Sequence, residues 1–181
     1  MQGDERPPLR DAGASCPAQV SAPQASGPVI RFCTPPLPGP ARMKQHQSIL
    51  QVQSRRPGLH DITREVNRVI GESGIETGVC LVFVRHTSAS LLIQENADPS
   101  ARRDLETFFD RIAPESDPLY THTMEGADDM PAHLKAALTS TSEQIPVVDG
   151  GLGLGTWQGL YLFEHRRRAH PRSLVVHVWG E

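Results

Sequence analysis

An α+β fold is predicted for this 181-residue chain, with one layer an antiparallel or mixed sheet and the other a layer of helices. Three observations predict it. At least five apolar segments have the length and boundaries of strands. Only three segments repeat apolar residues at helical spacing. Most of these segments do not follow one another as the strand–helix–strand units of a parallel sheet.

Residues 1–42 differ from the rest. They hold nine of the 16 prolines and four of the 15 glycines. Proline removes backbone donors, and so little apolar surface cannot offset the entropy of ordering. We expect a disordered Pro-rich extension here, with Met43 as the true start of translation and 43–181 as a single domain. Within that domain Gln45–Gln53 reads as the first strand and 55–58 as a turn. His60–Ile70 reads as a helix, with Leu59, Ile62, Val66 and Val69/Ile70 on one face. Gly71, Gly74 and Gly78 end it and lead to paired strands, Cys80–Val84 and Ala89–Ile93. Asp98-Pro99 opens the next helix, because aspartate caps free N–H groups and proline suits the first helical position. Leu105, Phe108, Phe109 and Ile112 form its apolar stripe, and Pro114 closes it. A polar loop over 115–129 leads to a short helix opening at Asp129-Met130-Pro131. A meander of Gln144–Val148, Leu152–Trp157, Leu160–Glu164 and Leu174–Trp179 completes the chain, turning at Asp149-Gly150-Gly151. Along Leu160–His165, Tyr161, Phe163 and His165 share one face while Leu160, Leu162 and Glu164 share the other.

Composition narrows the function. The formal net charge is −3, and residues 43–181 carry 14 Lys plus Arg against 18 Asp plus Glu. A nucleic-acid binder would show a basic surplus or stripe, so none is expected as a partner. No apolar run approaches the roughly 20 residues needed to span a bilayer, and no signal-peptide core is present. Cys16, Cys33 and Cys80 match no zinc or thioredoxin spacing. Cys80 lies in an apolar strand and reads as a small buried hydrophobe. A reducing cytoplasm is the expected setting.

Chemistry-bearing side chains concentrate at the paired strands. His86, followed by Thr87, Ser88 and Ser90, stands at a strand end; imidazole there can move a proton, bind a metal or hold a phosphate oxygen. The plainer alternative is a histidine serving a turn carbonyl. Glu95, Asn96 and Asp98 follow; Glu95 can bind a divalent metal or act as a base, whereas Asp98 caps a helix. His122 in the polar loop and His133 on the short helix can fold together. With His86 they would supply three nitrogen ligands, although two exposed histidines would look the same in sequence. The segment 150–159, GGLGLGTWQG, lacks the Gly-Lys-Ser/Thr ending of a phosphate loop and precedes a strand. It reads as tight connections around Trp157, with an anion contact at Thr156 as the alternative. Arg166, Arg167 and Arg168 read as a solvated loop. One of Arg102 and Arg103 could reach an anion.

The stretches RHTSASLLIQENADP, RRDLETFFDRIAP, THTMEGADDMPAHLKAAL and GLGLGTWQGLYLFEHR together resemble the YjbQ-like family, also called the secondary thiamine-phosphate synthase enzyme family. The resemblance spans essentially all of 43–181. It implies a two-layer α/β sandwich assembled as a homotrimer, with polar residues near a subunit boundary. It implies a transferase coupling a hydroxymethylpyrimidine diphosphate to a thiazole phosphate with release of pyrophosphate. On it rest catalytic roles for His86, Glu95 and His122. Substrate contacts are expected from Arg85, Thr87, Ser88, Asn96, Arg102, Thr156, Trp157 and Gln158, with Glu164 or His165 nearby. A divalent metal, Mg or Zn, is expected on His86, His122, His133 and Glu95. A metal-dependent hydrolase of a small phosphorylated metabolite and a non-enzymatic trimeric small-molecule binder are the alternatives. A chain starting at Met43 is expected to melt at the same temperature as the full chain in calorimetry; a markedly lower value for the shorter chain would show that 1–42 packs on the domain.

Overall fold

The computed structural model describes residues 43–168 and 170–181. The expectations for 1–42 lie outside the described residues. Eleven elements follow in order. They are β1 (Lys44–Gln53), β2 (Gly58–Asp61), α1 (Thr63–Ser73), β3 (Gly78–Val84), β4 (Ala89–Glu95) and α2 (Pro99–Ile112). Then come α3 (Asp129–Leu138), β5 (Ser142–Val148), β6 (Gly151–Leu152), β7 (Gln158–Glu164) and β8 (Pro171–Gly180). Every strand pair is antiparallel, and the α+β class holds.

The strands divide into two sheets, ordered β1-β8-β3-β5-β6 and β2-β7-β4, so the expected pair β3 and β4 is split between them. The sheets face one another. Cys80 and Val82 from β3 and Val176 from β8 pack into one apolar cluster with Leu91 from β4 and Leu160 and Leu162 from β7. α1 closes this interior with Val66, Val69 and Ile70. Cys80 is fully buried, and burial pushes its thiol pKa up to about 12, so it stays a neutral apolar filler. The opposite face of the three-stranded sheet carries a second cluster, Leu59, Tyr161 and Phe163 against Phe109 of α2. The Phe109 and Phe163 rings meet edge to face at 5.3 Å. The three-stranded sheet is therefore covered on both sides. The alternation read for β7 is the reason: Leu160 and Leu162 point to one cluster, Tyr161 and Phe163 to the other.

Local chemistry sets the boundaries. The Asp98 carboxylate accepts from Ser100 N at 2.7 Å and starts α2, as the sequence predicts. Gly74 takes φ +62° at the end of α1, the left-handed conformation that glycine adopts without a Cβ clash. The first helix begins later than its periodicity suggests. Gly58–Asp61 instead pairs with β7, and Asp61 Oδ1 accepts from Thr63 N at 2.9 Å, fixing the start at Thr63. The expected strand at Leu152–Trp157 is only Gly151–Leu152. Beyond it Asn96 Nδ2 donates to the carbonyls of Thr156 and Gln158, at 3.2 and 3.1 Å, and holds the glycine-rich segment as a loop. Among the described residues no helix is long and apolar enough to cross a membrane.

Candidate functional site

Among the described residues, α3 brings together a group of three ligating side chains. Asp129 and His133 are four residues apart on α3 and so share one face. His122 reaches them from the preceding loop. Its Nε2 lies 2.8 Å from Asp129 Oδ2, and His133 Nε2 lies 3.2 Å from the same oxygen. All three ligand atoms fall within 4.8 Å of one another. Asp129 is buried at 2% exposure, while His122 is open to solvent.

The tautomers are constrained. The Thr87 carbonyl can only accept, so His133 Nδ1 carries the proton of their 3.1 Å hydrogen bond. In the neutral ring, Nε2 then points a lone pair at a carboxylate oxygen. That arrangement is repulsive until a proton or a metal cation stands between them. Asp129 Oδ1 is taken by Arg166 Nη1, which leaves Oδ2 for the histidines. Arg166 also donates to Asp128 Oδ2 at 3.1 Å and to the Glu125 carbonyl at 2.8 Å. Burial alone would raise the Asp128 carboxyl, but the Arg167 N–H and the Arg166 guanidinium hold it below the usual range. A cavity of about 340 Å³ opens beside His122, with Tyr120, Thr123 and Met130 in its wall.

A buried ion pair lies behind this group. Glu164 is 1% exposed and accepts from Ser54 Oγ at 2.6 Å, Arg172 Nε at 2.7 Å and Arg166 N at 2.9 Å, with Arg172 Nη2 as a further donor. Burial would raise its carboxyl pKa; these donors overcome that and hold it below the ordinary value. Arg172 also donates to Ser88 Oγ and Ser88 O, at 3.1 and 3.2 Å. His86 stands nearby, its Nε2 accepting from Ser173 N at 2.9 Å. Desolvation, then the Arg172 charge, push its pKa down, and its second nitrogen carries the ring proton.

The remaining expected site residues stand elsewhere in the chain. Glu95 ends β4, and its Oε1 accepts from Asp98 N at 3.2 Å. The seven residues of β4 put it about 20 Å from the Ser88 end at ~3.3 Å per residue. There it lines a shallow depression with Trp157 and Gln158. Asn96 and Gln158 fold the 155–158 loop: Gln158 Oε1 accepts from Gly155 N at 2.8 Å. Arg102 lies over the Tyr161 ring at 5.8 Å, in a separate cavity with Arg56 and Arg103. Arg85 is exposed, its N–H donating to Ser173 O at 3.0 Å. A single chain thus unites His122 and His133, with Thr87 behind them, but not Glu95, Arg102 or the 156–158 loop. Three contributors lie outside the sequence expectations for the site. Asp129 opens α3 as expected, and its i, i+4 spacing to His133 is the signal of its place beside the imidazoles. Arg166 is not solvated: its side chain is 14% exposed and pairs with Asp128 and Asp129, because a buried carboxylate needs a cation. Arg172, which the sequence does not single out, is 3% exposed in β8. Arg167 does extend outward, to Glu115 at 2.7 Å.

His165 turns the other way from Glu164. Its Nε2 lies 2.9 Å from Ser90 Oγ, its ring meets Phe163 at 4.4 Å, and Nδ1 is buried without a partner among the described residues. Burial, reinforced by the Lys135 charge, pushes its pKa down to about 3.

Comparison with known proteins agrees with this architecture. The family model described as UPF0047 protein YjbQ-like matches residues 48–181. A UPF0047 protein of Synechocystis sp. is 55% identical over 141 residues, covering 78% of this chain and 96% of that protein. UPF0047 protein YjbQ of Salmonella typhimurium is 40% identical over 137 residues, 75% of this chain and 99% of that protein. Among solved structures, a YbjQ-like protein from Sulfolobus solfataricus superposes with TM-score 0.69 at 30% identity, covering 77% of this chain and 100% of that one. A YjbQ/UPF0047 protein from Clostridium acetobutylicum does so with TM-score 0.65 at 37% identity, covering 74% and 98%.

Stability should fall in mild acid because of His165. The unfolded imidazole takes up a proton below about pH 6.5, whereas the folded one resists down to about 3. Its contribution is therefore complete above pH 6.5 and is lost as pH falls through that window. Between pH 7.5 and 5 the loss should be about 2 kcal/mol. Urea unfolding at both pH values should show a correspondingly shallower loss in His165→Gln; an unchanged pH slope would contradict the assignment.

Proposed function

The chain belongs to the YjbQ-like UPF0047 family, and from that premise we propose a metal-dependent enzyme acting on a small phosphorylated metabolite. The reaction favoured by the resemblance is thiamine-phosphate synthase-like: a thiazole nitrogen attacks the methylene carbon of a hydroxymethylpyrimidine diphosphate. The new N–C bond forms as the C–O bond breaks, and pyrophosphate leaves with the electron pair. The observation that carries the reading is the convergence of His122, Asp129 and His133 beside a cavity.

Two imidazole nitrogens and one carboxylate oxygen fit a zinc-type centre with an open position better than the all-oxygen shell magnesium prefers. Bound there, a divalent cation would supply positive charge against an anionic phosphoryl oxygen. The protein's own groups supply orientation. Thr87 O fixes the His133 ring, and Arg166 turns Asp129 so that Oδ2 faces the histidines. His122, exposed at the cavity wall, is placed to hydrogen-bond a phosphate oxygen. The cavity gives room for the organic part of a substrate.

A homotrimer and a cytoplasmic setting belong to the same proposal. The outer face of the five-stranded sheet supports assembly: Ile49 and Phe83 are 47% and 42% exposed there. Cross-strand register places Leu81, Val175 and Trp179 on that same face. The reading assigns Glu95, Arg102 and the 156–158 loop to contacts across a subunit boundary, and Arg85, His86 and Ser88 to the rim behind His133. A hydrolase is the second reading, favoured by the two-histidine, one-carboxylate donor set that hydrolytic zinc centres use.

The test is product analysis of the zinc-supplemented protein with both thiamine precursors. Thiamine phosphate with stoichiometric pyrophosphate is expected, and Asp129→Asn should reduce turnover by about 100-fold or more. Phosphate released from single substrates would favour the hydrolase; full turnover by Asp129→Asn would overturn the metal-centre reading.

A further inference from the structure

One carboxylate stands behind both halves of the proposed metal centre. Glu164 lies between the sheets and reaches the ligands by two routes, three hydrogen bonds long to His133 and two to Asp129. The first runs through Arg172. Its guanidinium is held by Glu164 and donates to Ser88 Oγ at 3.1 Å and Ser88 O at 3.2 Å. This fixes the turn between β3 and β4, where the neighbouring Thr87 carbonyl accepts the proton of His133 Nδ1. The second runs through Arg166. Its backbone N–H donates to Glu164 Oε1 at 2.9 Å, and its side chain holds Asp129 Oδ1, Asp128 Oδ2 and the Glu125 carbonyl.

We propose that Glu164 is a positioning residue that presets the ligand geometry, fixing the His133 tautomer through Arg172 and the Asp129 carboxylate through Arg166. It touches neither ligand. Its effect is to keep the His133 Nδ1 proton on the Thr87 carbonyl, so that Nε2 and Asp129 Oδ2 face one another before any cation arrives. Groups that orient metal ligands from behind typically change affinity by roughly 10–100-fold when removed. The inference rests on the metal-centre reading for its consequence, but its first link, the imidazole tautomer, can be read without a metal.

Removing Glu164 alone would leave Arg172 as a buried unpaired charge and could unfold the chain. The informative variant is therefore the double substitution Glu164→Leu with Arg172→Met, which removes both charges at similar volume. Arg166→Gln separately cuts the second route from a side chain outside the sheet interior. Two quantities are measured on folded, full-length protein, with a thermal melt of each variant. One is zinc affinity by competition with a chromophoric chelator. The other is the His133 ring ¹⁵N shifts, which distinguish Nδ1–H from Nε2–H.

In the double variant we expect zinc affinity to fall roughly 10–100-fold and His133 to lose its Nδ1–H signature. In Arg166→Gln, affinity should fall about tenfold with the His133 signature kept. A folded double variant with wild-type zinc affinity and an unchanged His133 signature would overturn the proposal, whatever its melting temperature. If the wild-type chain takes up no zinc, the metal-centre reading fails, and the His133 signature alone decides the positioning role.

Discussion

The fold depends on β7 being covered on both faces. Its neighbours fix the register: Ala89 lies opposite Glu164 and Glu95 opposite Gln158 on β4, and Leu59 opposite Phe163 on β2. Leu160 and Leu162 pack inward against the five-stranded sheet, while Tyr161 and Phe163 pack outward under α2. Burying each such side chain is worth about 1.5–3 kcal/mol. A slip of one residue would exchange the faces and drive the Glu164 carboxylate into the aromatic layer away from Arg172. That penalty makes the register nearly unique.

The same strand delivers the polar groups that the site needs. At its C-terminal end the alternation continues, with Glu164 turned inward and His165 outward. Glu164 meets Arg172 on β8, one strand of the opposite sheet, so the ion pair ties the two sheets together at the end where the β3–β4 turn sits. A buried ion pair adds little net stability compared with a well-packed apolar pair. Its geometry matters more here. It brings the β3–β4 turn, the 165–168 segment and the start of α3 to one place, and those three contribute Thr87, Arg166, Asp129 and His133.

Much of this could be read along the chain. The inward and outward faces of β7, the Asp98 cap and the buried Cys80 all rest on local spacing, whereas spacing alone leaves the meeting of His122 and His133 undecided. What could not be read rests on partners distant in sequence or on competition between local forms. Asp129 opens α3 as expected, but its burial is invisible in sequence, and only its spacing to His133 signals the second role. Arg166 looked solvated because its partners, Asp128 and Asp129, lie 38 and 37 residues earlier. Gly58–Asp61 carried a helical apolar pattern that strand pairing with β7 overrode. Glu95 and His86 are expected on one metal with His122 and His133, yet an extended seven-residue strand separates them and His86 Nε2 is taken by Ser173 N.

The central claim is that His122, Asp129 and His133 form one cation site whose ligands are oriented before binding. The most direct measurement is a crystal of the zinc-loaded protein with anomalous data collected at the zinc edge. The account predicts a single strong peak in each chain, about 2.0–2.2 Å from Nε2 of His122, Nε2 of His133 and Oδ2 of Asp129. The Thr87 and Arg166 contacts should be unchanged beside it. A peak on other residues, or a fully zinc-exposed crystal with no peak at these three, would contradict it.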